Sequence, residues 1–201
     1  MNAQPRSIDR GPVGDGRVYL TFDDGPDPDW TPCMLDILAA ANVRVTFFVI
    51  GRTAQGAAAL VRRMVADGHE VGNHTYGHRH PWSMHAAAAR REVRDGTAAI
   101  ADALGRAPNS FRPPHGRIRR CMVEEAQLGG QRTVLWSLSA IDWGPLGRAP
   151  GIAARLNAVA PGDIVLMHDG RRSRNRPDEL VRVLPGFLAN LRERTLTPAA
   201  V

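Results

Sequence analysis

Short apolar runs alternate with stretches of helical period along this chain, and that alternation limits its fold more than any other feature. Arg17–Phe22 and Arg44–Ile50 read as strands, Glu70–Val71 as a short one, and further strands are predicted near Ser110–Arg112, Thr133–Trp136 and Ile164–Met167. Between them the apolar spacing predicts helices over Thr31–Ala41, Ala54–Ala66, Met84–Leu104, Ile118–Leu128, Ile152–Val159 and Pro177–Arg192, and the tail around Leu196 predicts a last short strand. Strands separated by helices pair in parallel, because each crossover returns the chain to the same end of the sheet. The expected fold is therefore α/β, as a barrel or an open sheet. No linker, repeat or low-complexity tract interrupts the 201 residues. The organisation expected is a polar segment over 1–16 and one domain over 17–201.

Polar residues recur just past the strands. Asp23 and Asp24, His74, Arg112, Asp142 and His168 each sit at or after the C-terminal end of a predicted strand. In a parallel barrel those ends form one rim, where active sites are built. His74 and His78 are four residues apart and can reach one metal ion if the segment is helical or tightly turned. Asp23 and Asp24 offer a carboxylate, although neighbours in a regular strand point to opposite faces. The turn at Gly25-Pro26 could bring both inward. Two histidines and one carboxylate make a catalytic zinc set that leaves a position open. His80 is a competing ligand, ranked below His74.

Charge excludes some chemistry. All 26 cations are arginine, against 20 acids, for a net charge of +6. Without lysine there is no Schiff-base or P-loop chemistry. The basic balance alone supports only non-specific attraction to nucleic acid, and no nucleic-acid-binding motif is present, so no specific nucleic-acid partner is expected. Cys33 and Cys121 are far apart and form no CxxC pair; two buried free thiols are expected. The first residues lack the apolar core of a signal peptide, and no run approaches the roughly 18 apolar residues of a membrane span. A cytoplasmic location is the expectation.

Five segments, in order, resemble the motifs of polysaccharide deacetylases of the NodB-homology type, carbohydrate esterase family 4. They are Thr21–Pro26 (TFDDGP), His74–His78 (HTYGH), Arg112–Gly116 (RPPHG), Ser139–Trp143 (SAIDW) and Ile164–Asp169 (IVLMHD). The resemblance implies a distorted (β/α) barrel that need not close, with the site at the C-terminal strand ends. It implies a divalent cofactor, Zn²⁺ or alternatively Co²⁺, held by Asp24, His74 and His78. It makes Asp23 the general base and His168 the general acid, oriented by Arg112 and Asp142 respectively. Tyr76, Pro114, His115, Trp143 and Leu166 become substrate contacts, with the His115 N–H as an oxyanion donor and Leu166 lining an acetyl pocket.

The implied activity is hydrolysis of N-acetyl groups on N-acetylglucosamine oligomers or polymers, chitooligosaccharide first. Alternatives are peptidoglycan, xylan, a lipid-linked amino sugar or a small amide, and more remotely a non-catalytic carbohydrate or nucleic-acid binder. Two positions depart from the family pattern: Ser139 stands where aspartate is common, and His115 where tyrosine or phenylalanine is. These departures bear on the substrate more than on the reaction. Outside the motifs, His69 is expected to be a packed structural residue and His85 a solvated helix residue. Trp82 is a candidate sugar platform beside Trp143, Trp136 is assigned to the core and Trp30 to surface packing. The run Arg171-Arg172-Ser173-Arg174-Asn175-Arg176 is either a solvated loop or a contact for an anionic substrate.

Overall fold

A computed structural model describes residues 7–172 and 174–201. Its strands are β1 (Ser7–Ile8), β2 (Arg17–Asp23), β3 (Thr46–Val49), β4 (Glu70–Asn73), β5 (Ser110–Phe111), β6 (Arg132–Val134), β7 (Leu138–Ser139), β8 (Ile164–His168) and β9 (Thr197–Ala199). The α-helices are α1 (Trp30–Ala40), α2 (Gly51–Gly56), α3 (Ala58–Ala66), α4 (Ala86–Leu104), α5 (Arg120–Leu128), α6 (Ala149–Leu156) and α7 (Pro177–Glu193). All the strand pairings are parallel, in the order β1-β6-β5-β4-β3-β2-β8-β7. The ninth strand, β9, pairs in parallel with the start of β2. Because β1 and β7 do not pair with each other, the sheet curls into a half-barrel without closing.

The side-chain period of two divides each central strand between two environments. Val18, Leu20 and Phe22 of β2, Phe47 and Val49 of β3, and Val165 and Met167 of β8 join the large core under the helices. Tyr19, Phe48 and Ile164, on the alternate positions, form a second cluster inside the curl with Val134. Both faces are covered, so these strands read as near-continuous apolar runs. The same alternation aims Thr21, Asp23, Leu166 and His168 into the curl.

Several elements differ from expectation. The single helix expected over 54–66 is broken at Ala57 (φ −133°, ψ 41°) into α2 and α3. The two-residue strands β1 and β7 are too short to carry a period, and only their pairing with β6 and β8 defines them. Part of the polar segment over 1–16 is thus built into the sheet: β1 extends it, and Arg10 pairs with Asp163 at 2.6 Å. Residues 1–6 of that segment lie outside the described residues. Both cysteines are free, but neither is buried; Cys33 is exposed on α1, and Cys121 of α5 is intermediate and packs against the cluster around Phe111 and Met122. Trp136 is half-buried and packs against the cluster of Tyr19, Phe48, Val134 and Ile164, with its ring close to Gly116, where a side chain would overlap it. No helix among the described residues is long and apolar enough to cross a membrane.

Phe47 is fully buried and stacks on Phe22 at 5.2 Å between ring centroids. Phe47→Ala is expected to cost about 3–5 kcal/mol, the usual range for emptying an aromatic core site. Denaturant unfolding of the two proteins measures it.

Candidate active site

Asp23 ends β2 with its side chain inside the curl, and the next residue would face the helices if the strand continued. Instead Asp24 adopts φ +75° and turns its carboxylate inward as well. The turn that follows is packed closely: a Cβ at Gly25 would overlap the Asp169 carboxylate. Asp169 is buried and accepts a 2.5 Å hydrogen bond from the Thr31 hydroxyl, tying the turn to α1. Burial dominates its titration and raises its pKa to about 7, against the lowering effect of Thr31.

His74 follows β4 directly, and the segment to His78 is a turn rather than a helix, with Thr75 at φ +67° and His78 at φ +55°. The surrounding helices hold this turn. The Glu92 side chain accepts from Gly77 N–H and its carbonyl from Tyr76 N–H, while Gly51 N–H of α2 donates to the Thr75 carbonyl. Of the seven non-glycine residues with positive φ among those described, Asp24, Thr75, His78, His115 and Ile141 all lie in the five motifs. Such backbone is costly and persists where surrounding contacts enforce it, typically at functional sites.

Asp24, His74 and His78 bring their ligand atoms within 4.8 Å of one another, and all three residues are buried. Asp24 Oδ1 is 3.0 Å from His78 Nε2 and 3.6 Å from His74 Nε2. The Arg112 carbonyl lies 2.7 Å from His74 Nδ1. A carbonyl only accepts, so Nδ1 carries a proton and Nε2 is the atom that faces Asp24. Burial first, then His74, lowers the His78 pKa to about 3 despite Asp24, with Arg172 and His115 adding to the effect. The ring is therefore neutral, as a metal ligand must be. Asp24 Oδ1 is buried and finds no hydrogen bond among the described residues. An orphaned carboxylate oxygen beside two imidazole nitrogens fits a bound cation. His80 is outside this cluster; its Nδ1 accepts from Trp82 N–H and its ring packs on His115.

Two carboxylate-anchored pairs complete the site. Arg112 follows β5 and is fully buried. Its Nη1 donates to Asp23 Oδ1 and to Thr21 Oγ1, both at 2.7 Å, its Nη2 to the Leu135 carbonyl at 2.8 Å, and its Nε to the Val134 carbonyl at 3.2 Å. Its guanidinium lies 4.1 Å from the Phe48 ring centroid. Asp23 Oδ2 remains free of Arg112 and sits 3.7 Å from His74 Nε2. In the other pair, Asp142 accepts from the His168 backbone N–H at 2.7 Å and lies 2.8 Å from its Nδ1. Burial lowers the His168 pKa, but the charge and hydrogen bond of Asp142 outweigh it, and the ring is pushed up to about 9. Ser139 shapes the approach to Asp142 by accepting from Ile141 N–H at 3.1 Å.

A cleft of about 440 Å³ opens onto these groups. Asp24, His78 and His168 form its floor, and His115, Trp143 and Leu166 border it. Arg172, Arg174 and Asn175 complete the border. Tyr76 and Pro114, expected as substrate contacts, do not border it: the Tyr76 hydroxyl is 3.2 Å from Gln55 Oε1, and Pro114 is buried. Asn175 was not expected; its amide donates to Asp24 Oδ2 at 2.7 Å. Nor were Thr21 and Glu92, whose contacts join segments remote in sequence. Trp82 is 62% exposed under Arg119, and Trp30 packs with Arg171. His69 is buried, its Nδ1 accepting from Val45 N–H, while His85 caps the N-terminus of α4. A larger groove of about 840 Å³ lies where α1 and α7 end, but among the described residues Arg192 and Glu193 are its only charged borders and it holds no cluster of metal-ligating groups.

Replacing Arg112 by leucine leaves the Asp23 charge buried without its partner. A loss of about 3–5 kcal/mol is expected for breaking such a pair. Lysine should not rescue it, since one ammonium cannot reproduce four hydrogen bonds from a planar fork. Thermal and denaturant unfolding of the two variants measure both outcomes.

The polysaccharide deacetylase family pattern matches residues 10–134. A chitooligosaccharide deacetylase of Sinorhizobium fredii is 39% identical over 183 residues, covering 90% of this chain and 83% of that protein. The solved Bc1960 peptidoglycan N-acetylglucosamine deacetylase superposes with a TM-score of 0.90 at 30% identity, covering 97% of this chain and 90% of the other. A family 4 carbohydrate esterase from Streptomyces lividans superposes with a TM-score of 0.83, also at 30% identity and covering 92% of each chain. With the family pattern spanning well over half of its length, the chain belongs to the polysaccharide deacetylase family.

Proposed function

We propose that this protein removes N-acetyl groups from N-acetylglucosamine residues of an oligosaccharide or polysaccharide, with chitooligosaccharide as the leading substrate. The reading is supported most by one observation: two oppositely charged partners, Arg112 on Asp23 and Asp142 on His168, surround one buried Asp–His–His cluster. The activities of the chitooligosaccharide and peptidoglycan relatives agree with it.

Asp24, His74 and His78 would hold the metal, and their two nitrogens and one oxygen suit Zn²⁺ better than Mg²⁺ or Ca²⁺. When bound, it supplies a Lewis acid that polarises the amide carbonyl and makes water a usable nucleophile near neutral pH.

The remaining roles belong to the chain. Arg112 fixes one oxygen of Asp23, and the other accepts a proton from the attacking water. His168, protonated below about pH 9, delivers a proton to the departing sugar amine. Asp142 holds that ring by Nδ1 and so leaves Nε2 to face the cleft. The His115 N–H donates to the oxygen that gains charge as the amide carbon becomes tetrahedral. Leu166 offers an apolar wall to the acetyl methyl, and Trp143, edge-on to His168 at 5.4 Å, offers a face to the sugar.

Acetate release from N-acetylglucosamine oligomers should vanish on chelation and return with Zn²⁺ or Co²⁺. Asp23→Asn should keep its metal, read by elemental analysis, and lose about a hundredfold or more in turnover; normal turnover would remove Asp23 as the base. An acid must be protonated to act, so activity should fall as pH rises through the His168 pKa. Asp142→Asn removes the largest influence that raises that pKa, leaving the smaller ones of Asp24 and Asp23, so the alkaline limb of the pH–rate profile should move to lower pH.

A further inference from the structure

The loop between β8 and α7 sorts its arginines into two kinds. Arg171 and Arg176 face away and are neutralised: Arg171 lies 3.5 Å from Asp178, and Arg176 lies 3.2 Å from Asp178 and 3.0 Å from Glu179. Arg172 and Arg174 border the cleft, and neither forms an ion pair among the described residues. Ser173, between them, lies outside the described residues.

Backbone contacts hold the end of this loop at the cleft. The Arg174 carbonyl accepts from Gly144 N–H at 2.8 Å, and Arg176 N–H donates to the Asp142 carbonyl at 2.8 Å. Asn175 forms an antiparallel bridge with Trp143 and reaches Asp24 with its side chain. The loop is therefore docked on the motifs that carry Asp24 and Asp142, unlike a solvated surface loop.

The charges deeper in the cleft already have partners. Arg112 is matched by Asp23 and His168 by Asp142, which leaves Asp24 for the metal. Two unpaired guanidinium groups bordering one cleft repel each other unless an anion joins them. A neutral sugar polymer supplies none. Guanidinium forks match carboxylate and phosphate oxygens in pairs.

We propose that Arg172 and Arg174 form an anion subsite at the mouth of the cleft, selecting an acetamido-sugar substrate that carries a carboxylate or phosphate close to the residue being deacetylated. The inference rests on the deacetylase reading above and narrows its substrate. The subsite would favour a glycan that interleaves acidic sugars with N-acetylglucosamine, or an oligomer bearing a phosphate, over plain chitooligosaccharide.

The test compares three substrates on the metal-loaded protein and on its R172Q/R174Q variant. They are a neutral N-acetylglucosamine tetramer, a tetramer alternating N-acetylglucosamine with N-acetylmuramic acid, and an N-acetylglucosamine oligomer with a reducing-end phosphate. In the wild type, kcat/KM for at least one anionic substrate should exceed the neutral one by about tenfold or more, the factor a charge-assisted hydrogen bond supplies. That ratio should fall toward one in the variant, and in the wild type it should shrink as salt is raised. Whichever of the two anionic substrates carries the preference identifies its source. The same ratio in both proteins, or none above one in the wild type, overturns the subsite.

Calorimetric binding of the same glycans to metal-loaded Asp23→Asn separates the two levels. If no glycan is turned over, the deacetylase reading fails, and binding still reports whether the arginines prefer the anionic glycans. If the neutral tetramer reacts and the anionic glycans gain nothing, the subsite fails and the reading stands. Duplex DNA that displaces neutral and anionic glycans alike, with no preference between them, would make the pair a nucleic-acid contact and also overturn the proposal.

Discussion

The buried pair between Arg112 and Asp23 is the constraint on which the rest of the site depends. A guanidinium with no solvent exposure is costly to bury, and the cost is offset only if every donor finds an acceptor. Here the acceptors come from β2 through Thr21 and Asp23, and from the end of β6 through the carbonyls of Val134 and Leu135. The arginine itself leaves β5. One side chain therefore crosses the curl as a spoke and fixes the separation of strands far apart in the sheet order. Its backbone carbonyl, facing His74 Nδ1, sets the tautomer of a metal-ligand candidate as well. The Asp23 carboxylate, the Asp–His–His cluster and the sheet curvature are joined through one residue.

The other half of the site follows the same logic with the charges exchanged. A buried carboxylate, Asp142, holds a histidine by its backbone N–H and its ring together, so that His168 has little freedom to turn. Neither pair is strong evidence for stability, since two charges are removed from water in each. Their value is in orientation: each leaves one side-chain atom, Asp23 Oδ2 or His168 Nε2, without a hydrogen bond among the described residues. An open half-barrel suits this arrangement, because the cleft needs access from one side only.

Much of this was legible in the sequence, and for identifiable reasons. Motif residues fall at strand ends, and in a parallel sheet all those ends share one rim, so the convergence of Asp24, His74, His78 and His168 needed no coordinates. The departures are equally specific. The break at Ala57 was hidden because the apolar period continues across it. The strands β1 and β7 were missed because two residues carry no pattern. The resemblance made Tyr76 a substrate contact, but Thr75 and His78 on either side of it have positive φ, and its hydroxyl lies 3.2 Å from Gln55 Oε1. Asn175 and Glu92 gave no signal, because a lone amide or carboxylate in a loop or on a helix looks the same whether it meets solvent or a motif.

By itself, the sequence determined the fold class, the parallel pairing and the identity of the chemical groups, because periodicity and motif order are local properties of the chain. Only the tertiary structure decided which atoms of those groups remain available. Backbone torsions at Asp24 and His78 turn three ligands toward one point. Arg112 and Asp142 then occupy one side of Asp23 and His168. The arginine loop was the clearest case. Its sequence allowed a solvated surface or an anion contact, and packing against Asp178, Glu179 and Trp143 separated two neutralised arginines from two that face the cleft, because charge pairing depends on neighbours that the linear chain does not specify.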